Sequence, residues 1–203
     1  MLSLLGWNPG TEQEIFSLEE LVNAFDLKRV SKSGAKFNPE KTNWFNQQYL
    51  QKKDNKELAK LFFLILEKQG VDASDEYAEK VVSLVKERAV FVNDFWELGS
   101  FFFKTPETYD EKASKKQWKS ETGTLLEELA TVVSNIEDFS SQNIETTVKE
   151  WITSKEVGFG KVMQPLRLAL VGALKGPHLF DIIEMIGKEE TVHRIHKIIN
   201  DLS

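Results

Sequence analysis

One arginine stands inside an otherwise apolar stretch near the C-terminus, Val162-Met163-Gln164-Pro165-Leu166-Arg167-Leu168-Ala169-Leu170-Val171-Gly172. A guanidinium in such surroundings needs a partner. Either an internal carboxylate satisfies it, or its fork faces a groove that receives a carboxylate or phosphate. Other chemistry-bearing words are weaker. Gly158-Phe159-Gly160-Lys161 has the ring of a phosphate loop but lacks the full spacing, and no strand precedes it. His193 and His196 lie three apart on the last helix and could share a metal, yet no third ligand has recognisable spacing, so exposed histidines are expected. No nucleophile, base and oxyanion donor recur at a spacing that would make a hydrolase or transferase.

The elements that position these residues read as helices. Leu166, Leu170 and Leu174 recur at helical spacing, and Gly176-Pro177 must turn the backbone before Leu179 and Phe180 open the next helix. Ser17 with Glu20 is a capping box for a helix through about Phe25. Asn38 followed by Pro39 opens a helix through Trp44, Phe45 and Tyr49, whose aromatic spacing predicts a core face. Asp54 with Glu57 caps a helix over 56–68, with Leu58, Leu61, Phe62, Ile65 and Leu66 as one stripe, and 75–87 continues similarly. Phe101-Phe102-Phe103 is an aromatic cluster without a clear period. Leu125, Leu126, Leu129, Val132 and Val133 resume the helical period, and Ser140-Ser141-Gln142-Asn143 marks a joint at which Asn143 caps the helix carrying Val148, Trp151 and Ile152. No convincing strand is present, so the fold class is all-α: two packed helical subdomains, 53–138 and 139–203, preceded by a small helical region over 1–52.

Composition sets outer limits. The 203 residues include no cysteine, which excludes a disulfide scaffold or cysteine-ligated zinc and fits a reducing cytosol. The longest apolar run, Leu61-Phe62-Phe63-Leu64-Ile65-Leu66, falls far short of the ~20 residues that span a bilayer, and no targeting segment opens the chain, so no membrane partner is expected. The net charge of −6 is the wrong sign for nucleic-acid binding by bulk electrostatics. From Gly160 onward, however, six lysines and arginines face five carboxylates, so local positive charge on an acidic body can serve one particular RNA. An acidic helical protein-interaction module without RNA binding is the alternative, favoured by an exposed apolar groove without a basic rim.

The words themselves point further. "PLRLALVGALKGPHLFDIIEMIGKEE" resembles the end of bacterial glutamyl-tRNA synthetases, whose C-terminal helical cage holds the anticodon loop of tRNA. "LLGWNPGTEQEIFSLEELV" resembles the segment that follows the catalytic half of those enzymes, and "FNPEKTNWFNQQYL" the segment that closes their stem-contact region. The resemblance implies a stem-contact remnant followed by the anticodon-binding part, cut from a class I, ATP-dependent glutamate–tRNA ligase. It implies anticodon contacts from Arg167, Gly176, Pro177, Leu179 and Phe180, with His178 in the same turn placed to meet an anticodon base or phosphate. A second basic contact falls to Arg88 or Lys86.

Arg29-Val30-Ser31-Lys32-Ser33 nearly copies the KMSKS signature of class I synthetases, but the family's own signature lies upstream of the "LLGW" segment. The word is read instead as a solvated basic connection or a tRNA-backbone contact through Lys28, Arg29, Lys32 and Lys36. Nothing in the chain resembles the catalytic HIGH motif. ATP and magnesium are therefore implied for the parent enzyme and not for these residues. The implied partners are a glutamate-accepting tRNA and the catalytic domain of the same parent chain, in the cytoplasm.

Overall fold

The computed structural model describes residues 3–32 and 37–202, and these are all-α. The only extended pairing among them is an isolated antiparallel bridge between Trp7 and Val30. The chain divides into two compact units, 1–95 and 96–203.

The first unit opens with α1 (Ser3–Gly6) and α2 (Leu18–Ala24). The Ser17–Glu20 capping box forms as its spacing predicts: the Glu20 amide donates to the Ser17 hydroxyl at 3.2 Å and the Ser17 amide donates to the Glu20 carboxylate at 2.6 Å. That second bond holds the Glu20 carboxyl below its usual range. Trp7 is buried, edge-on to Phe16 and tilted against Phe25, and anchors this region. Helix α3 (Pro39–Lys52) starts on the Asn38 cap. Its buried residues are Phe45 and Leu50, whereas Trp44 and Tyr49 are 39% and 42% exposed, against the core face read from their spacing. The physical reason is visible at Tyr49, whose hydroxyl reaches past the core edge to donate to the Phe16 carbonyl at 2.8 Å.

Helices α4 (Asn55–Lys68) and α5 (Asp75–Val85) pair as a hairpin. Leu58, Phe62 and Leu66 bury against Val81, Val82 and Val85, and Phe62 meets Phe95 edge-on at 5.7 Å. Leu61 belongs to the same sequence stripe but lies at its margin, exposed. A 3-10 turn, Lys86–Arg88, follows α5, and the division between the units falls inside α6 (Asp94–Gly99).

The second unit contains α7 (Glu111–Gln117), α8 (Thr122–Ser134), α9 (Ser141–Ser154), α10 (Phe159–Val171), α11 (Leu179–Ile186) and α12 (Lys188–Leu202). The Phe101 cluster resolves into a 3-10 turn, Ser100–Phe102, that buries Phe101 and Phe102, while Phe103 stacks on Trp96. Helix α9 begins before Asn143, at the Ser140 N-cap, and the Asn143 amide reaches back to the Asp138 carbonyl instead of capping. Helix α10 runs through Pro165, which has no N–H to give the preceding turn, and stops at Gly172 with φ 80°. A side chain at Gly172 would strike the Thr108 carbonyl at 2.9 Å, so both backbone sign and space favour glycine there. Leu174 lies past that stop and does not extend the stripe of Leu166 and Leu170.

Arg194 of α12 is the buried arginine of this unit, at 2% exposure. Its Nη1 donates to the carbonyls of Phe101 and Leu170, both at 2.7 Å, and its Nε donates to Glu190 at 2.7 Å. Burial pushes the Glu190 carboxyl up, but the Thr105 hydroxyl at 2.5 Å and Arg194 together bring it below its ordinary value. Arg194→Met keeps the aliphatic stem yet orphans two buried carbonyls and leaves the Glu190 carboxylate without its counter-charge, and should lower the urea unfolding free energy by about 3 kcal/mol. Because the folded-state pKa of Glu190 is depressed, its contribution is present above the unfolded carboxylate value of ~4.3 and is lost as pH falls through the lower folded value. Glu190→Gln should therefore flatten the acid limb of the stability–pH curve, read by thermal unfolding from pH 6 downward.

Candidate nucleic-acid interface

The first candidate patch is the loop after α5. Three amides of α3 hold its backbone: Gln47 and Gln51 donate to the Glu87 carbonyl at 3.0 and 3.1 Å, and Asn46 donates to that of Val90. From the other side, the Asp94 carboxylate accepts from the Val90 and Phe91 amides at 2.8 and 2.9 Å. The Lys86 ammonium is spent inside the unit, donating to the Lys53 carbonyl at 2.6 Å and to Asn55 at 2.9 Å. Arg88 is the exposed cation on this fixed loop. Sequence reasoning named Lys86 and Arg88 as equivalents; the packing separates an anchor from a presented side chain. The polar side chains of α3 were missed altogether, and only their clustering on one helix, Asn46-Gln47 and Gln51, could have marked them.

The second patch is the turn between α10 and α11. Arg167 is half-buried, and its Nη1 donates to the Pro177 carbonyl at 2.9 Å. This bond ties the guanidinium to a backbone carbonyl of the turn itself. Gly176, at φ 128°, lies directly under the guanidinium, where a Cβ would sit 3.5 Å from Nη1. Pro177 is buried, and Leu179 and Phe180 are 2% and 1% exposed. The resemblance placed Leu179 and Phe180 toward unstacked bases; here they are core residues that fasten α11, because the first turn of that helix points its apolar side inward. His178 remains outward, 52% exposed. Its ring lies edge-on to Phe180, with Nε2 3.7 Å from Glu145 and Nδ1 3.6 Å from Asp181. The Glu145 carboxyl is held low, first by its hydrogen bond from Lys149.

The basic connection is divided in the same way. Lys28 and Lys32 are exposed. The Arg29 guanidinium donates to the Pro9 carbonyl against Gly10, so it staples the N-terminal turn. Lys36 lies outside the described residues. Gly158 serves as the N-cap of α10, so Gly158-Phe159-Gly160-Lys161 is a helix start, and Lys161 faces Glu121 at 3.4 Å. His193 and His196 are both exposed, with His196 3.5 Å from Glu127. Among the described residues no three His, Cys, Asp or Glu side chains group as a metal site, and no helix is long and apolar enough to cross a membrane.

Residues 46–199 match the anticodon binding domain family, so both patches lie within the matched region. The chain belongs to the anticodon-binding domain family. The sequence is similar to the C-terminal part of glutamate–tRNA ligases. It is 64% identical to that of Flavobacterium johnsoniae over 99% of this chain and 40% of the relative, and 51% identical to that of Porphyromonas gingivalis over the same shares. A crystal structure of a glutamate tRNA ligase from Elizabethkingia meningosepticum, in complex with its amino acid, superposes with a TM-score of 0.94 at 48% identity, covering 100% of this chain and 40% of that one. The chain thus spans 40% of the length of the curated relatives it matches.

The division between anchors and presented cations is measurable. Lys86→Ala should cost about 1 kcal/mol in urea unfolding because the Lys53 carbonyl loses its donor. Arg88→Ala should stay within about 0.5 kcal/mol of the parent chain.

Proposed function

We propose that this chain recognises the anticodon loop of a glutamate-accepting tRNA, as the C-terminal part of a glutamate–tRNA ligase, and carries out no chemistry itself. The observation that carries this reading is the family match over 46–199, which includes both a pinned loop presenting Arg88 and the turn braced by Arg167. Loop bases in single-stranded RNA are unstacked, and they are read by side chains and backbone groups held in fixed positions. Arg167 fixes the Gly176–Pro177 backbone through the Pro177 carbonyl, so the turn presents its groups to RNA in one conformation. Lys28 and Lys32 contact phosphates and hold the register without reading sequence.

In this reading the catalytic domain of the same ligase attaches glutamate to the tRNA in the cytoplasm, and ATP and magnesium bind there. The acidic overall charge of −6 then works as a filter, suppressing indiscriminate RNA binding while local cations act at short range.

The test is binding of this chain to a glutamate-tRNA transcript beside one with altered anticodon bases, across a salt series. Tighter binding to the correct anticodon is expected, weakened by Arg167→Ala by about 1–3 kcal/mol. Equal, salt-dominated binding to both RNAs would overturn anticodon reading and leave only a phosphate-contacting surface.

A further inference from the structure

The α4–α5 hairpin buries one apolar face and leaves apolar side chains of another in solvent. Leu58, Phe62 and Leu66 are core residues, whereas Leu61 and Leu64, neighbours one turn apart on α4, are 43% and 59% exposed. Phe63 and Leu64 of α4, with Val71 and Ala73 of the connecting loop, line a cleft of about 440 Å³ at the tip of the hairpin. Phe63 also lines a second cleft, of about 490 Å³, that extends between α4 and α5 as far as Lys56. The two clefts thus make one groove. From Lys56 to Glu67 it follows about 17 Å of helix rise, room for about three turns of a partner helix. Its walls are preformed: the Gly70 and Val71 amides donate to the Glu67 and Leu66 carbonyls, both at 3.0 Å, and the Tyr77 amide donates to the Ser74 hydroxyl at 3.2 Å.

Charge selects the occupant. At the tip the charged lining residues are Glu67 and Asp72, with no lysine or arginine beside them. Farther along, Asp75, Glu76 and Glu79 of α5 stand against Lys56 and Lys60 of α4. Lys80 approaches Glu76 at 3.9 Å with both side chains largely exposed, so it offsets that carboxylate only weakly. Lys68, in the last turn of α4, lines neither cleft. The N-terminus of α5 adds about half a positive charge. Five carboxylates to two lysines still leave the groove negative, which repels phosphate and attracts a cation. We propose that the α4–α5 groove docks a basic amphipathic helix of a partner protein, whose apolar side chains cover Phe63 and Leu64 and whose lysines or arginines meet Glu67 and Asp72. The eleven residues of α5 carry the Arg88 loop about 16 Å from the hairpin tip, so a helix seated at the tip leaves that loop open to RNA. The inference does not depend on anticodon reading.

The probes are two synthetic helical peptides of about four turns with leucines at the same i, i+3, i+4 and i+7 positions, one flanked by lysines and the other by glutamates. Binding to the isotopically labelled chain is followed by amide chemical shifts and by fluorescence anisotropy. The lysine peptide should bind about tenfold more tightly than the glutamate peptide, with shifts centred on Phe63, Leu64 and 71–73 and an affinity that falls as salt is added. Leu64→Ala changes an exposed side chain and should weaken the lysine peptide by about fivefold, an effect that charge attraction alone would not produce. The double variant Glu67→Lys with Asp72→Lys should reverse the preference and favour the glutamate peptide. Thermal unfolding of each variant separates loss of the groove from loss of fold. Equal binding of the two peptides, no binding of either, or shifts spread over other acidic surfaces would each overturn the proposal. So would self-association that Leu64→Ala abolishes, which makes the occupant a second copy, or an oligouridine that shifts the same amides more strongly than the lysine peptide, which makes it RNA. Binding of the glutamate-tRNA transcript should be unchanged by Leu64→Ala, so failure of anticodon recognition and failure of this docking surface are read separately.

Discussion

The second unit is built around a buried guanidinium. Arg194 gives up its hydration to sit at 2% exposure, and such a charge is tolerable only where its donors are matched. Two main-chain carbonyls and one carboxylate supply that match, from three parts of the unit: Phe101 in the 3-10 turn, Leu170 near the end of α10, and Glu190 one turn back on α12. The Leu170 contact is the consequential one. It fixes the end of α10 just before the chain turns at Gly172, and the turn over 176–180 follows directly from that end.

A second arginine then does on the surface what Arg194 does in the core. Arg167 lies one helical turn before Leu170, and its Nη1 grips the Pro177 carbonyl. Both arginines fasten backbone to backbone through a side chain, but their exposure differs. Arg194 has no surface left for a ligand, whereas Arg167 is only half-buried and braces the turn from the edge of the core. The loop bearing Arg88 in the first unit follows the same logic with neutral donors, since Asn46, Gln47 and Gln51 fix the backbone and leave the cation outward. In each unit rigid main chain presents a small number of polar groups, as readout of unstacked bases requires.

Much of the helical framework was legible in the residues. The caps at Ser17, Asn38 and Asp54 are local hydrogen bonds between near neighbours, so sequence spacing alone fixes them. The breaks at Gly172 and Gly176-Pro177 are likewise properties of individual residues. The limits appear where a periodic pattern says that a face exists without saying how wide it is. Trp44, Tyr49 and Leu61 carry the right spacing and still lie exposed at the margin, because burial depends on the neighbours that pack there and not on spacing alone. The anticodon-binding family was legible too, since the ordered words around Arg167 and Gly176 survive as words.

By itself the sequence determined an all-α chain, its principal helix starts and stops, and the family to which its words belong. Only the tertiary structure decided which polar side chains are spent and which are offered. Lys86 and Arg88 are two residues apart, yet one is locked to the Lys53 carbonyl and the other faces solvent. Leu179 and Phe180 look as available as His178 until α11 packs and buries them. Arg194, unremarked among the charges of the last helix, proves to be the internal one. The reason is that a hydrogen-bond partner such as Phe101 lies 93 residues away from Arg194 in the chain, and burial is a property of that distant neighbourhood and not of local spacing.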